Sequence, residues 1–568
     1  MIKKRLGNIL LLLLISNHQV VWGQFVPKNI TEEQQIKANH WVEKTYQNMS
    51  QDERLGQLFI IALYTNKGDA FIQNVRNIVE KEQIGGLILM QDDASKEISL
   101  VNELHAKSKI PLLIGMDAEW GLYQRIPIAH KFPWAITLGA IQNKQTIYEN
   151  AKKIAQDAKR MGVNWNFAPV VDVNTNPKNP IIGNRSFGST VENVTQSAYA
   201  YTMGLQDQNI LAAIKHFPGH GDTSTDSHLT LPVVHHSLDR LQAVELAPFQ
   251  NLINKGIGGV MVAHVYVPTL EKGKNIPASL SYSVVTELLK KQMRYQGLII
   301  TDALNMNAVA DTYPPGVVDA LAFKAGNDIM LFSQDVAKGK AEIQKAIDRG
   351  EIPAQRVEES VKKILKTKYF LGLSQHPETI NPQNIHWDLK TEKHRQIIQN
   401  AYSEAVTLLK DDKNLLPLKK EDTYYYLPLE EAPLGLYPDL LQLSITLKTI
   451  EPKDILLLPQ SAKVIIGIHK DNSTAYKPYT ISKQNKTLIH KIAEKHPVLL
   501  HIFGSPYALA DVEIKNISTV VVAYENNDDA VIASVQGLLG KKSINGRLPV
   551  TINHTLPAGS GITKNKTK

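Results

Sequence analysis

The chain has 568 residues, of which 43% are hydrophobic and 21% are charged, and its formal net charge is +8. This composition is typical of globular proteins and excludes a disordered or fibrous chain, while the length predicts two domains. The basic residues are dispersed along the chain, which argues against a nucleic-acid-binding surface. There is no cysteine, so disulfide bonds, thiolate metal sites and a lipid-modified cysteine are excluded.

The first residues have the pattern of a secretory signal. Positive charge at residues 3–5 is followed by an apolar run at residues 9–15 and by small or neutral residues up to Gly23. The run is too short to span a bilayer, and no later segment is long enough. We therefore expect cleavage of residues 1–23 near Gly23, and a mature chain that is exported to the periplasm or secreted, without an integral membrane segment.

Residues 24–373 are predicted to form the larger domain, a (β/α)8 barrel. Short runs rich in Ile, Leu and Val alternate there with longer amphipathic stretches, the pattern of repeated strand and helix units. In such barrels the active site lies at the carboxyl ends of the strands, so polar residues directly after the runs are candidates: Asp117, Asp172, His216, His264 and Asp302. The predicted strands are 57–63, 84–90, 111–116, 163–168, 212–215, 258–263, 297–301 and 328–332.

Two segments after the third and fourth strands carry candidate ligand-binding groups. Asp117 and Arg125 follow the third strand, and Arg185 belongs to the RSFG sequence after the long fourth loop. Such charged groups around a pocket can fix several hydroxyl groups of a ligand. Trp120 or Tyr123 could offer an apolar face to a ring, although Trp120 fits a place in the core equally well.

The densest group of ionisable residues follows the fifth strand, in the sequence KHFPGHGDTSTDSH at 215–228. Its glycines and proline predict a shaped loop over the barrel mouth. If the end of that loop is extended, Asp226 and His228 point the same way, so the carboxylate can orient the imidazole as a proton shuttle. One alternative is that the histidines only satisfy backbone groups. The other is a zinc site formed by His216, His220, Asp226 and His228, which a chelator would reveal.

The seventh predicted strand is followed by the sequence TDALNM, in which Asp302 would project into the barrel mouth. A glycosidase that retains stereochemistry needs a carboxylate nucleophile on one face of the sugar and a proton donor on the other. Asp302 and His228 could take those places. The spacing alone equally allows Asp302 to be the N-cap of the next helix.

Beyond the barrel, a segment at 374–390 with proline and asparagine is predicted to be a linker. Residues 391–568 are predicted to form a smaller α/β sandwich, because apolar runs alternate there with helical patterns. Those runs are 424–429, 464–468, 498–503 and 519–523.

Together these segments resemble the family 3 glycoside hydrolases, in particular their bacterial β-N-acetylglucosaminidase branch. The resemblance covers most of residues 50–370, and its loop motif is the most specific part. The sequence AVTLLKDDKNLLPL at 405–418 is similar to the opening of the family's second domain. The other matching stretches are KHFPGHGDTSTDSH, TDALNM, RSFG and AGNDIML.

The resemblance implies that Asp302 is the nucleophile of a covalent glycosyl intermediate and that His228, oriented by Asp226, is the acid/base. Because this branch uses a histidine as proton donor, the second domain is not needed to supply that group. At Trp120 the chain departs from the branch, where glycine is expected after the acidic residue. The residues expected to hold N-acetylglucosamine in the first subsite are Asp117, Arg125, Arg185, Lys215 and His216.

The predicted function is a retaining, exo-acting β-N-acetylglucosaminidase, independent of metal and cofactor, that releases terminal N-acetylglucosamine from peptidoglycan fragments or related glycans. The expected partner is such a glycan or a muropeptide, and the sequence predicts no oligomeric state. The alternatives are a β-glucosidase or β-xylosidase of the same fold, a phosphorylase in which phosphate replaces water, and a non-catalytic carbohydrate-binding protein.

Overall fold

The computed structural model describes residues 30–91, 93–223, 231–474 and 477–567. The predicted signal sequence at residues 1–23 lies outside the described residues, and so do Asp226 and His228. Within those described ranges, no helix has the length and apolar character needed to cross a membrane.

The first part of the chain forms the predicted barrel. Its strands are almost wholly buried, because parallel strands covered by helices have both faces in the core and therefore read as continuous apolar runs. The strands are β1 Phe59–Leu63, β2 Gly86–Leu89, β3 Leu113–Met116, β4 Trp165–Asn166, β5 Leu211–Phe217, β6 Gly259–Val262, β7 Leu298–Thr301 and β8 Met330–Leu331.

In the described part of the chain these eight strands lie in the order β7-β6-β5-β4-β3-β2-β1-β8, and all neighbouring strands are parallel. A parallel bridge between Ile300 and Ile329 joins β7 to β8, so the sheet closes on itself. The predicted (β/α)8 barrel is confirmed, and each predicted strand is present. β5 is longer than predicted, whereas the other strands are shorter.

Several helices of the barrel begin where a polar side chain accepts the first free backbone N–H groups. Asp93, for example, accepts from the N–H groups of Ser95 and Lys96. The helices are α1 Glu32–Gln47, α2 Gln51–Gly56, α3 Asp69–Glu82, α4 Ala94–Lys107, α5 Ala135–Gly139, α6 Lys144–Arg160, α7 Val191–Gln206, α8 Leu238–Arg240, α9 Ala247–Ile253, α10 Asn307–Ala310, α11 Val317–Ala325, α12 Val336–Asp348 and α13 Gln355–Phe370. Two π-helical segments, Leu241–Glu245 and Ser283–Gln292, complete the outer layer.

The rest of the chain forms a second sheet, whose order over the described residues is β11-β10-β12-β13-β14-β9. All pairs are parallel except β14 with β9. β10, β12, β13 and β14 are the predicted strands, whereas β9 and β11 were not predicted as strands. The strands are β9 Thr407–Asp411, β10 Thr423–Leu429, β11 Thr446–Thr449, β12 Lys463–His469, β13 Val498–Phe503 and β14 Thr519–Val522.

Both faces of this sheet are covered by helices, which confirms the predicted α/β sandwich. Adjacent residues of β12 alternate between the faces: Ile465 packs in one cluster with Tyr437, and Ile466 packs in another with Ile489. The helices in this part of the chain are α14 Ile385–Asp388, which contacts α4 of the barrel, and then α15 Glu392–Ala405, α16 Leu436–Gln442, α17 Lys483–Ala493 and α18 Asp528–Leu538.

The segment between the two sheets is attached to the barrel. Asn102 of α4 exchanges two hydrogen bonds with the backbone of Ile380, at 2.8 and 3.0 Å. Further on, His394 of α15 lies 2.9 Å from Asp157 of α6, and both side chains are buried. The domain boundaries at residues 373 and 390 stay predictions.

Candidate active site

A cavity of about 670 Å³ opens at the carboxyl ends of the barrel strands. Each described residue with a predicted catalytic or sugar-binding role contributes to its lining, whereas Asp172 and His264, the other candidates after the strands, do not. The predicted proton-transfer pair, Asp226 and His228, lies outside the described residues, so its position stays a prediction. The predicted residues that line the cavity are Asp117, Arg125, Arg185, Lys215, His216 and Asp302.

Lys215, near the end of β5, is the centre of an ionic network along one wall. Its side chain is 3% exposed, and its Nζ lies 2.9 Å from an oxygen of Asp117 and 2.8 Å from an oxygen of Glu119. Arg125 donates to the other oxygen of Asp117 at 2.6 Å. Arg185 donates twice to Glu119, at 2.7 and 2.9 Å. Cations and carboxylates therefore alternate, so each charge is paired despite its burial.

The network keeps its carboxylates ionised. Burial alone would raise the pKa of Asp117, but the charges of Lys215 and Arg125 outweigh it and hold the pKa well below its usual range. Burial would also raise the pKa of Glu119, but the charges of Arg185 and Lys215 outweigh it and lower this pKa to about 2. Both carboxylates are therefore hydrogen-bond acceptors at neutral pH, held in place before any ligand binds.

Glu119 has a larger part in this network than sequence reasoning assigned to it. It was not among the predicted site residues, yet it links Lys215 to Arg185. A signal was present, because residues two apart in an extended segment point to the same side. Asp117 and Glu119 have that spacing, and both contact Lys215.

His216 is held by a buried carboxylate behind the cavity wall. Its Nδ1 lies 2.7 Å from Asp172, which also accepts from the backbone N–H groups of His216 and His220. Arg185 lies 3.3 Å from the other ring nitrogen, Nε2. Since a guanidinium group only donates, Nε2 accepts and Nδ1 carries the proton. Asp172 therefore orients His216 from behind and is not one of the residues that line the cavity.

The described start of the long loop is packed tightly against the chain beneath it. A Cβ on Gly221 would lie 2.0 Å from the carbonyl oxygen of Val173, so only glycine fits there. His220 contacts Thr223 through Nδ1 at 2.6 Å, and burial lowers the pKa of His220 to about 4. After residues 224–230, which lie outside the described residues, His236 lies 2.8 Å from Asp222 and joins the two sides of the loop.

Asp302 follows β7 and lines the floor of the cavity. One of its oxygens accepts from the N–H of Ala303 at 2.8 Å. Burial raises its pKa, but His216, His264 and the Ala303 N–H outweigh burial and lower it, so the side chain is a carboxylate. The alternative role as an N-cap is wrong, because the next helix, α10, begins at Asn307 with Met306 as its N-cap.

His264, the polar residue after β6, supports the Asp302 turn from outside the cavity. It is fully buried, and its Nε2 lies 3.0 Å from the carbonyl oxygen of Ala303. Because a carbonyl only accepts, Nε2 carries the proton, and Nδ1 accepts from the Ser279 hydroxyl at 2.7 Å. His264 is thus a neighbour of the candidate nucleophile and not a ligand-binding residue.

The second domain closes one side of the same cavity. Ser473 and Thr474, which follow β12, line it together with Trp120. Trp120 combines both predicted places, because it packs against the buried core and its partly exposed indole also lines the cavity. Tyr123 is 39% exposed and is not one of the lining residues.

A (β/α)8 barrel supports many reactions, and an ionised carboxylate beside a charged pocket at its carboxyl end fits the chemistry of a glycoside hydrolase. Residues 50–367 match the family model described as the Glycosyl hydrolase family 3 N terminal domain. The chain belongs to the family 3 glycoside hydrolases and is a glycoside hydrolase enzyme.

Similar proteins cover most of the chain. It is 30% identical over 544 residues to β-hexosaminidase A of Pseudoalteromonas piscicida, with 84% of this chain and 90% of that protein covered. It is 28% identical over 390 residues to a β-N-acetylglucosaminidase/β-glucosidase of Cellulomonas fimi, with 67% and 68% covered.

Solved structures also superimpose on most of this chain. A family 3 β-N-acetylglucosaminidase from Paenibacillus sp. str. FPU-7 superimposes with a TM-score of 0.73 at 27% identity, covering 89% of this chain and 99% of that one. The β-glucoside phosphorylase BglX superimposes with a TM-score of 0.78 at 25% identity, covering 93% and 97%.

Proposed function

We propose that this glycoside hydrolase is a retaining, exo-acting β-N-acetylglucosaminidase. The observation that carries the proposal is the ionised Asp302 on the cavity floor, beside the network centred on Lys215. The similarity to proteins named β-hexosaminidase A and β-N-acetylglucosaminidase supports N-acetylglucosamine as the sugar.

In the first step of this mechanism a carboxylate oxygen of Asp302 attacks the anomeric carbon of the sugar. The bond from that carbon to the leaving oxygen breaks, and protonated His228 gives its proton to that oxygen. In the second step neutral His228 takes a proton from water, the water oxygen attacks the anomeric carbon, and Asp302 is released. Two inversions give net retention. Asp226 would hold His228 in the orientation that both steps need.

The ionic network positions the sugar for these steps. Asp117 can accept hydrogen bonds from ring hydroxyls, while Lys215 and Arg185 can donate to them. Because these groups are already fixed by one another, little reorganisation is needed when the sugar binds. Arg125 keeps Asp117 in place through its 2.6 Å contact.

We also propose export and a cell-wall substrate. The charged residues at 3–5 and the apolar run at 9–15 support cleavage near Gly23, and an exported enzyme would meet peptidoglycan fragments. Fractionation of cells that make the full chain, followed by N-terminal sequencing of the product, tests this. Full-length protein found only in the cytoplasm would contradict export.

Phosphate as the acceptor is the second candidate, favoured by the likeness to the β-glucoside phosphorylase. The cavity wall does not oppose an anion, because the carboxylates of Asp117, Glu119 and Asp302 are matched by the cations of Arg125, Arg185 and Lys215. A phosphorylase would yield sugar 1-phosphate in place of the free sugar.

One kinetic comparison tests these alternatives together. The purified protein is assayed on 4-nitrophenyl N-acetyl-β-glucosaminide and on the matching β-glucoside, each with and without phosphate. We expect much higher kcat/KM on the N-acetylglucosaminide, no dependence on phosphate, and free N-acetylglucosamine as the product. Preference for the glucoside would favour a β-glucosidase. Sugar 1-phosphate as the main product would favour the phosphorylase, and absence of hydrolysis would refute the proposal.

A further inference from the structure

The second domain reaches the cavity through the short segment 471–474 after β12. Ser473 and Thr474 line the cavity, and Asn472, only 7% exposed, lies behind them. The amide of Asn472 donates to the carbonyl of Tyr524 at 3.0 Å and accepts from the N–H of Asn526 at 3.2 Å. The segment is thus fixed to the residues that follow β14.

Asn472 also holds a tryptophan of the barrel. The backbone carbonyl oxygen of Asn472 accepts from Nε1 of Trp134 at 3.2 Å, and Trp134 is fully buried. A buried indole N–H needs an acceptor. For Trp134 that acceptor belongs to the second domain, although the ring belongs to the barrel.

Glu525, between Tyr524 and Asn526, makes a second connection to the same place. Its side chain is fully buried. Its Oε1 accepts from the backbone N–H of Trp134 and from the hydroxyl of Thr137, both at 2.8 Å, and its Oε2 lies 3.1 Å from Nζ of Lys131. Each of these partners belongs to the segment 131–137 of the barrel. Because a buried carboxylate is costly without partners, Glu525 holds that segment in one position.

The segment in turn supports Trp120. The rings of Trp134 and Trp120 are in contact, with centroids 4.1 Å apart and planes at 43°. The N–H of Phe132 donates to the carbonyl of Trp120 at 3.1 Å. The position of the Trp120 indole at the cavity therefore depends on contacts that begin in the second domain.

The side of the cavity formed by Trp120, Ser473 and Thr474 differs chemically from the ionic wall. It offers an indole face and two hydroxyl side chains, with no charge on these three residues. A pyranose ring has an apolar face that can lie on an indole and hydroxyl groups that can bond to serine and threonine. An aryl group would leave those hydroxyls without matched partners.

We infer that Trp120 and the segment 471–474 bind the leaving-group sugar, and that Glu525 and Asn472 of the second domain position them. The inference rests on the proposed function, because it assigns a binding site to the other end of the same substrate. Trp120 is then the group that touches the substrate, and Glu525 is a positioning residue that acts through Trp134.

The test compares two substrates that share the first sugar and differ in the leaving group. In N,N′-diacetylchitobiose the leaving group is a sugar, whereas in 4-nitrophenyl N-acetyl-β-glucosaminide it is a small aryl group. For Trp120→Ala and Glu525→Gln we expect the ratio of kcat/KM for chitobiose over the aryl substrate to fall by roughly 10-fold, the size expected for losing one aromatic contact. For chitobiose the loss should be mainly a higher KM.

Two control variants separate this effect from domain docking in general. Glu404→Gln alters another contact between α15 and the barrel, with the hydroxyl of Thr146 at 2.8 Å, which lies outside the segment 131–137. Trp387→Ala removes a tryptophan that is 77% exposed and is not a cavity residue. Both should keep the wild-type substrate ratio. Melting temperatures measured alongside show whether Glu525→Gln is folded. If Glu525→Gln does not fold, Trp120→Ala still tests the leaving-group site.

The outcomes distinguish the two proposals. A wild-type protein that hydrolyses neither substrate contradicts the proposed function itself. If the wild type is active but Trp120→Ala lowers kcat/KM equally on both substrates, or on neither, the leaving-group site is wrong. If only Trp120→Ala changes the ratio and folded Glu525→Gln does not, the positioning role of Glu525 is wrong.

Discussion

Asp302 differs from the other carboxylates of the cavity in what surrounds its charge. Asp117 and Glu119 each contact two cations. Among the described residues no lysine or arginine forms an ion pair with Asp302, which accepts a hydrogen bond from the N–H of Ala303. A carboxylate tied to cations is a good fixed acceptor, whereas one without ion pairs keeps its nucleophilicity.

At the residue scale we predict that Asp302→Asn lowers kcat on the aryl N-acetyl-β-glucosaminide by at least about 10³-fold, because an amide of the same size cannot form the glycosyl intermediate. The melting temperature should change little. Steady-state kinetics and thermal unfolding measure the two effects. Asp311→Asn, an exposed carboxylate just after α10, is the control, and activity of Asp302→Asn within 10-fold of the wild type would reject the nucleophile assignment.

At the scale of elements, the described start of the loop after β5, up to residue 223, is held by side-chain hydrogen bonds and close backbone contacts. Asn179 donates to the carbonyl of His220 at 2.8 Å, and Gly221 lies against the backbone of Val173. These contacts fix the entrance of the segment that carries Asp226 and His228 in the sequence. Gly221 of the motif is therefore required by packing.

We predict that Gly221→Ala lowers kcat/KM by roughly 10- to 100-fold, since small misplacement of catalytic groups has effects of that order. The added Cβ would meet the carbonyl oxygen of Val173 at 2.0 Å, so the backbone must move. The melting temperature should fall as well. Gly435→Ala is the matched control, because its Cβ would have no neighbour within 4 Å. Wild-type kinetics for Gly221→Ala would show that the loop tolerates the shift.

At the scale of the whole molecule, stability should depend on pH through a lysine buried under the barrel. Lys368 of α13 is fully buried and donates to the side chain of Gln57 at 2.7 Å. Burial lowers its pKa from the ordinary 10.5 to about 7. Between these values the unfolded chain binds more protons than the folded one, so the contribution of Lys368 to stability rises with pH from about 7 to 10.5 and is lost as pH falls.

We predict that Lys368→Met removes this dependence. Relative to the wild type, the variant should be most stabilised near pH 7, and the difference in melting temperature should shrink as the pH approaches 10. Thermal unfolding at a series of pH values measures it. For Lys413→Met, at an exposed position, the difference in melting temperature from the wild type should be the same at every pH. A constant difference for Lys368→Met would mean that Lys368 keeps its ordinary pKa in the folded protein.

Two strands show why the second domain was harder to predict than the barrel. β11 exposes three of its four residues and buries only Leu447, so it lacks an apolar run. β9 buries its first two residues and pairs antiparallel with β14, against the direction of the rest of the sheet. An exposed edge strand and a strand from a distant part of the chain leave weak local patterns.

The sequence by itself determined the barrel and the surroundings of the candidate site. Buried parallel strands must be short apolar runs, and residues after them must meet at the barrel mouth, so Asp117, His216 and Asp302 could be placed together from the pattern. Only the tertiary structure decided which side chains form ion pairs and hydrogen bonds with one another. Lys215 and Asp117 are 98 residues apart in the chain, and Glu525 and Trp134 are 391 apart. Ion pairs and hydrogen bonds over such separations produce no periodicity in the sequence, because they depend on how whole elements pack.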